Sequence, residues 1–163
     1  MTKSLRLLTG AAALTALLSA LPAQTAQAAS YVKFRNAHTG LCLAAVNATE
    51  APRQIGCSQP GYEHVKWEII RKSVGGDEFW MLKNAITGEC LDSRGTGSVY
   101  LSGCYSGDPG QWWYFLDREH LLHVDTWETR GVQHRLVGWN DRSVSAPSTS
   151  TEYLSAKAVW RVE

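Results

Sequence analysis

Hydrophobic and polar residues alternate in short runs along most of this chain. Val65, Trp67 and Ile69 alternate with Lys66 and Glu68, and Ala158, Trp160 and Val162 alternate with Val159, Arg161 and Glu163. A period of two sets one side of an extended segment against a core and the other against solvent, so these runs read as half-buried strands. In the run from Gln111 to Phe115 the same alternation aims Trp113 and Phe115 inward and Trp112 and Tyr114 outward. Val32 to Arg35, Trp80 to Lys83, Val99 to Leu101 and Leu121 to Val124 are further strand candidates. Turn-forming stretches separate them, among them Gly75-Gly76-Asp77, Ser93-Arg94-Gly95-Thr96-Gly97 and Ser106-Gly107-Asp108-Pro109-Gly110. No segment sustains a helical period.

The strands belong to a repeat. Asn36-Ala37-His38-Thr39-Gly40-Leu41-Cys42-Leu43 recurs 48 residues later as Asn84-Ala85-Ile86-Thr87-Gly88-Glu89-Cys90-Leu91, with six of eight positions identical. A second cysteine follows in each unit, in Ile55-Gly56-Cys57 and Ser102-Gly103-Cys104, and a tryptophan after that, Trp67 and Trp113. A third unit is fainter. His134-Arg135-Leu136-Val137 stands where Gly-Glu-Cys-Leu would be, Tyr153-Leu154-Ser155 echoes Tyr100-Leu101-Ser102, and Trp160 lies 47 residues after Trp113, itself 46 after Trp67. Three units of about 45 residues follow, with boundaries near 31–74, 75–118 and 119–163. Short strands in a threefold repeat predict an all-β barrel with threefold pseudosymmetry.

The N-terminus is of another kind. Lys3 and Arg6 precede an uncharged run from Leu7 to Leu21, then Pro22 and Ala26-Gln27-Ala28-Ala29, the layout of a secretory signal peptide spanning residues 1–28. The run is short for a bilayer span, and no later segment is long or apolar enough to be one. Of the 163 residues, cleavage after Ala28 leaves 135; Lys3 and Arg6 leave with the signal, so 14 basic and 15 acidic side chains remain, a formal charge of −1. Such a chain has no electrostatic reason to seek nucleic acid or anionic lipid. All seven Trp and all four Cys stay in the exported part, which suits disulfides in an oxidising compartment and binding by shape and stacking. A secreted, monomeric protein is expected.

Four cysteines allow three connectivities. Equivalence of the repeats selects Cys42 with Cys57 and Cys90 with Cys104, each worth roughly 3 kcal/mol in the chain-entropy account. Zinc would want Cys-x-x-Cys spacing or clustered His, and neither is present, so no metal or other cofactor is expected. The third unit has Arg135 in the first cysteine slot and must hold its loop by packing.

The pattern Asn-x-x-Thr-Gly-x-Cys-Leu-Asp, a hydrophobic triplet before a second Cys, and then Gln-x-Trp resembles the ricin-type β-trefoil lectin repeat, found also in carbohydrate-binding modules. The resemblance covers Tyr31 to Glu163 and is strongest in Thr87-Gly88-Glu89-Cys90-Leu91-Asp92 and Gln111-Trp112-Trp113. It implies a β-trefoil of twelve strands, six closing a barrel and three hairpins capping it, with the last Trp of each unit in the core. It also implies a recipe for sugar binding. A carboxylate after Cys-Leu accepts hydrogen bonds from sugar hydroxyls, a ring two residues before the second Cys stacks on the sugar, and an Asn before Gln-x-Trp completes the contacts.

Carried onto this chain, the recipe is met in part. The middle unit has Asp92 as the carboxylate and Gln111 to buttress it, with Ser102 in place of the ring and Gly110 in place of the Asn. The first unit has Ala44, Ile55, His64 and Val65 at the four positions, and the third has Val137, with Lys157 and Ala158 before Trp160. Tyr100 and Tyr105 flank the missing ring, so Asp92, Tyr100, Tyr105 and Gln111 form the candidate carbohydrate site. The alternative for Asp92 is a turn cap beside Ser93-Arg94-Gly95. Trp139-Asn140-Asp141 is a second candidate, a ring beside two polar groups; its alternative is a Trp folded over the barrel in place of the missing disulfide.

No catalytic constellation is present. Gly-x-Ser-x-Gly, His-Glu-x-x-His and a phosphate loop are absent, the five His are scattered, and a His120/His123 pair on a strand edge reads as solvated. The expected function is therefore non-catalytic carbohydrate binding. The competing expectation is a degenerate trefoil scaffold whose loops bind a protein partner, as trefoil protease inhibitors do.

Overall fold

The computed structural model describes residues 30–58, 62–94, 97–124, 133–148 and 156–163. The signal segment and Tyr153-Leu154-Ser155 lie outside the described residues, as does most of the turn at Gly95-Thr96. The first set of strands is β1 (Tyr31–Val32), β2 (Phe34–Asn36), β3 (Cys42–Ala44), β4 (Arg53–Ile55) and β5 (Trp67–Val74). The second is β6 (Asp77–Asn84), β7 (Cys90–Ser93), β8 (Val99–Ser102) and β9 (Trp113–Leu116). The third is β10 (His120–His123), β11 (Val137–Gly138), β12 (Val144–Ser145) and β13 (Trp160–Val162).

The outer strands of each set run around a closed ring. Val32 of β1 faces Trp67 of β5, β5 pairs with β6, β6 with β9 through Trp80 and Trp113, and β9 with β10. Trp160 N donates to Glu119 O at 2.7 Å, and β13 pairs with β2 to complete the circuit. The inner strands form three hairpins, β3 with β4, β7 with β8 and β11 with β12, which cap the ring. Six barrel strands under three hairpin caps make a β-trefoil, and closure leaves the barrel without an open edge.

The interior repeats with the chain. Trp67, Trp113 and Trp160 are fully buried, and each indole N–H donates to a leucine carbonyl in its own repeat, on Leu43 (2.9 Å), Leu91 (3.2 Å) and Leu136 (2.9 Å). Those leucines and a further trio, Phe34, Leu82 and Leu121, share the same core. Burial of each such side chain stabilises by about 1.5–3 kcal/mol, and the buried indole N–H keeps a partner.

A second threefold set joins the repeats to one another. Asn36 Nδ2 donates to Lys157 O at 2.7 Å and Asn84 Nδ2 to His64 O at 2.9 Å, while their Oδ1 atoms accept N–H groups from the following Thr-Gly turns. Gly40 and Gly88 close those turns at φ near 70°, a conformation a side chain would strain. The third repeat has no such asparagine. His123 takes its place: its N–H donates to His134 O as Asn84 N does to Glu89 O, and its Nε2 lies 3.0 Å from Gly110 O. A carbonyl accepts, so Nε2 carries the proton. Each repeat is thus hooked to the one before it around the ring.

Two expectations change. His123 is not solvated on a strand edge but fully buried, its ring edge-on to Trp113 at 5.3 Å. Trp112 does not face outward: it is 5 % exposed in a second cluster with Met81, Cys90 and Val124, its Nε1 bonded to Ser106 O. The residues just before β9 form a short 3-10 turn, Pro109–Gln111, so strict alternation does not extend back to Trp112. The hairpin partner of β11 is Val144–Ser145. Both repeat-derived disulfides are present, Cys42–Cys57 and Cys90–Cys104.

His123→Ala removes a buried donor and leaves the Gly110 carbonyl unsatisfied. Urea denaturation is expected to show a loss of about 1–3 kcal/mol, comparable to that of Asn84→Ala and well above that of an exposed His substitution.

Candidate functional site

The middle unit brings Asp92, Gln111 and Ser102 together. Asp92 on β7 stands opposite Tyr100 on β8, and its Oδ2 accepts from Ser102 Oγ (2.5 Å) and Gln111 Nε2 (3.4 Å). Gln111 Nε2 also reaches Ser102 Oγ (2.6 Å) and Gly103 O (2.9 Å), and its Oε1 accepts the Tyr105 N–H at 2.9 Å. Asp92 is 2 % exposed and Gln111 1 %. Gly110 explains the closure: a Cβ there would sit 2.6 Å from Asp92 Oδ1, so the carboxylate fills the space that a side chain at this position would need. Asp92 and Gln111 therefore direct their polar atoms into the protein.

The two tyrosines are placed differently. Arg94 lies over the Tyr100 ring at 5.2 Å and donates from Nε to its hydroxyl at 3.1 Å. Burial pushes the Tyr100 hydroxyl above the ordinary phenol range, with Arg94 acting against the shift and Asp92 with it. Tyr105 is 67 % exposed; its ring lies against Gly107, where a Cβ would approach ring atoms to 2.8 Å. It is held from below by the Gln111 bond and offers an open ring face, separated from the carboxylate by that buried network.

The third unit presents its polar groups outward. Trp139 follows β11, half-buried against Val137 and Ala158, and its Nε1 donates to Ser145 Oγ at 2.7 Å. The chain turns back at once: Trp139 N donates to Ser143 O and Arg142 N to Trp139 O, both at 3.0 Å, with Arg142 at a φ of 72°. Asp141 Oδ1 accepts the Ser143 N–H (3.0 Å) and hydroxyl (2.7 Å), which hold its carboxyl below the usual carboxylate range. Asn140 Oδ1 meets His38 Nε2 at 2.8 Å, and the Lys157 ammonium stands 5.0 Å above the Trp139 ring. Trp139, Asn140, Asp141, Ser143 and Lys157 line an open hollow of about 510 Å³.

Trp139, Asn140 and Asp141 are thus gathered in one place. Ser143 and Ser145 come from the same hairpin, while Lys157 and His38 join from a later loop and from the first repeat without any local signal in the sequence. In the first unit Ala44 and Val65, at two of the positions that the resemblance assigns to the sugar site, are buried. A separate concavity of about 350 Å³ beside Phe79 and Tyr114 is mostly apolar, with Asp77 on its rim. Among the described residues, the one cluster of metal-ligand spacing joins Glu163 to Cys42 and Cys57, whose sulfurs are closed in a disulfide and offer no thiolate.

Comparison with known proteins agrees with this architecture. The family described as ricin-type beta-trefoil lectin domain-like matches residues 21–99. Among solved structures, the designed three-fold symmetric protein ThreeFoil superposes with a TM-score of 0.60 at 22 % identity, over 81 % of this chain and 96 % of that one. The GlcNAcα1-4Gal-releasing endo-β-galactosidase of Clostridium perfringens gives a TM-score of 0.62 at 16 % identity, over 81 % of this chain and 32 % of that one. The structure described as the PSL1a–E64 complex gives 0.62 at 16 %, over 83 % and 47 %. This chain therefore spans less than half the length of the latter two. No curated protein sequence matches. By its threefold architecture the protein is a β-trefoil, and over residues 21–99 it is similar to the ricin-type beta-trefoil lectin domain-like family.

Proposed function

We propose that the protein is a secreted, non-catalytic carbohydrate-binding trefoil, and that its principal site is the hollow around Trp139. The observation that carries this reading is a half-buried indole, anchored through Nε1, standing beside an outward amide, carboxylate and ammonium. An aromatic face supplies the apolar contact a pyranose needs, and the surrounding polar groups take over hydrogen bonds its hydroxyls lose with water. Asp141 keeps one carboxylate oxygen beyond the Ser143 bonds, and Lys157 is a partly exposed cation over the ring, on a flexible stem that lets a ligand displace it. One shallow site of this kind gives weak binding, which Tyr105 can supplement as a second stacking surface.

Export is supported by the leader-like first 28 residues and by two disulfides, and no described helix is long and apolar enough to cross a membrane. The lack of catalysis is supported by the acid count. Glycoside hydrolysis normally places two carboxyl groups about a bond, and among the described residues the hollow is lined by one, Asp141. The closed state of Asp92 favours the competing reading, a scaffold for a protein partner, to the extent that the middle unit contributes no sugar contact.

Affinity electrophoresis of the mature protein in gels containing galactan, mannan, xylan or β-glucan separates these readings. At least one polysaccharide is expected to retard the wild type, and Trp139→Ala to weaken that retardation tenfold or more, about 1.4 kcal/mol. Retardation that survives Trp139→Ala refutes the assignment, and a protein captured from culture medium regardless of free sugar supports the scaffold. Asp92→Ala is expected to do the opposite of Trp139→Ala: a loss of about 1–3 kcal/mol in urea denaturation, with binding unchanged in the folded protein.

A further inference from the structure

Gln54 breaks the threefold pattern of the core. It pairs with Leu43 as Leu101 pairs with Leu91, so an amide is fully buried where the second repeat buries a leucine side chain. A buried amide is costly unless its atoms are bonded, and here every bond is made. Gln54 Oε1 accepts from Thr39 Oγ1 at 2.5 Å, and Nε2 donates to Trp139 O (3.0 Å) and Ser143 O (3.1 Å). The backbone N–H of Gln54 donates to Arg142 O at 2.8 Å. The opposing chain has made room, since a Cβ on Gly138 would lie 2.5 Å from Gln54 Oε1.

Three of those four bonds go to one short turn, Trp139 to Ser143, which bears most of the groups around the hollow. A second tie from the first repeat, His38 Nε2 to Asn140 Oδ1, holds the same turn. In the other two repeats the corresponding hairpin is pinned by a disulfide at the cysteine that opens β3 or β7; in the third, Arg135 occupies that slot. The turn therefore depends on its neighbour for its shape.

We propose that the Trp139 hollow is a composite site built between the third and first repeats, with Gln54 as its positioning residue and His38 as an auxiliary one. Gln54 touches no ligand; it sets the Trp139 and Ser143 carbonyls and thereby the angle of the indole and the spacing of Asn140 and Asp141. The inference rests on the reading that sugar binds at Trp139, but the Gln54 linkage also has a consequence that needs no ligand.

The test uses the full mature protein labelled with 5-fluorotryptophan, the Trp139 resonance being assigned with Trp139→Phe. Gln54→Met keeps length and apolar bulk but removes both donors, and Gln54→Leu copies the second repeat. In either variant the Trp139 ¹⁹F signal is expected to shift or broaden while those of Trp67, Trp113 and Trp160 stay in place. Affinity for the polysaccharide that retards the wild type is expected to fall about tenfold. An unmoved Trp139 signal overturns the proposal. So does a displacement of all seven signals together, because Gln54 is then a general core residue. If the wild type binds none of the polysaccharides, the functional reading fails while the ¹⁹F comparison still decides the role of Gln54. If Trp139→Ala abolishes binding and both Gln54 variants bind as tightly as wild type, the positioning role alone is refuted.

Discussion

A tryptophan in each repeat donates its indole N–H to a leucine carbonyl 22 or 24 residues earlier, and the rest of the molecule is arranged around those three bonds. The bond fixes the last barrel strand of a repeat against the start of its own hairpin, so each cap is seated by the same ring that fills the core. Because the indole is fully buried, losing the bond would strand a donor without water, and that asymmetry makes the arrangement selective as well as stabilising. The hooks from Asn36, Asn84 and His123 then connect one repeat to the next, and a closed ring of three equal connections leaves no repeat free to pack in a different register.

Against this regular frame the departures stand out, and they fall where binding chemistry would be placed. In the middle repeat the carboxylate-bearing hairpin has collapsed onto Gly110, with Asp92, Ser102 and Gln111 satisfying one another. In the third repeat a glycine, Gly138, accommodates an amide from the first, and the turn held by that amide presents polar groups beside a half-buried tryptophan. One hairpin is closed by internal hydrogen bonding, and another is held by support from outside its repeat. Both are local solutions laid over the same scaffold.

The trefoil was legible because its determinants are spaced along the chain. The Thr-Gly turns, the cysteine pairs and the last tryptophans recur at nearly constant intervals, and each has a single physical use. His123 was hidden by spacing: it precedes Leu136 by thirteen residues, whereas Asn36 and Asn84 precede Leu43 and Leu91 by seven, so the longer loop erased the alignment. Trp112 was misread because the short turn at Pro109–Gln111 interrupts the strand just before it. Gln54 carried no signal at all, since a glutamine on a strand reads as exposed and its four partners come from Thr39 and a hairpin more than eighty residues away. The open group at Trp139 was visible as a ring beside two polar residues, but Lys157 and His38 reach it only through the fold.

The proposed binding surface lies at the junction of the third and first repeats and not over the middle unit. Titrating ¹⁵N-labelled protein with an oligosaccharide fragment of a retained polysaccharide, and following the indole and backbone N–H resonances, tests this most directly. The account predicts progressive shifts at the Trp139 indole and at the amides of Asn140, Asp141, Ser143 and Lys157. Shifts centred instead on Gly103 to Gln111, with the Trp139 indole unmoved, would contradict it.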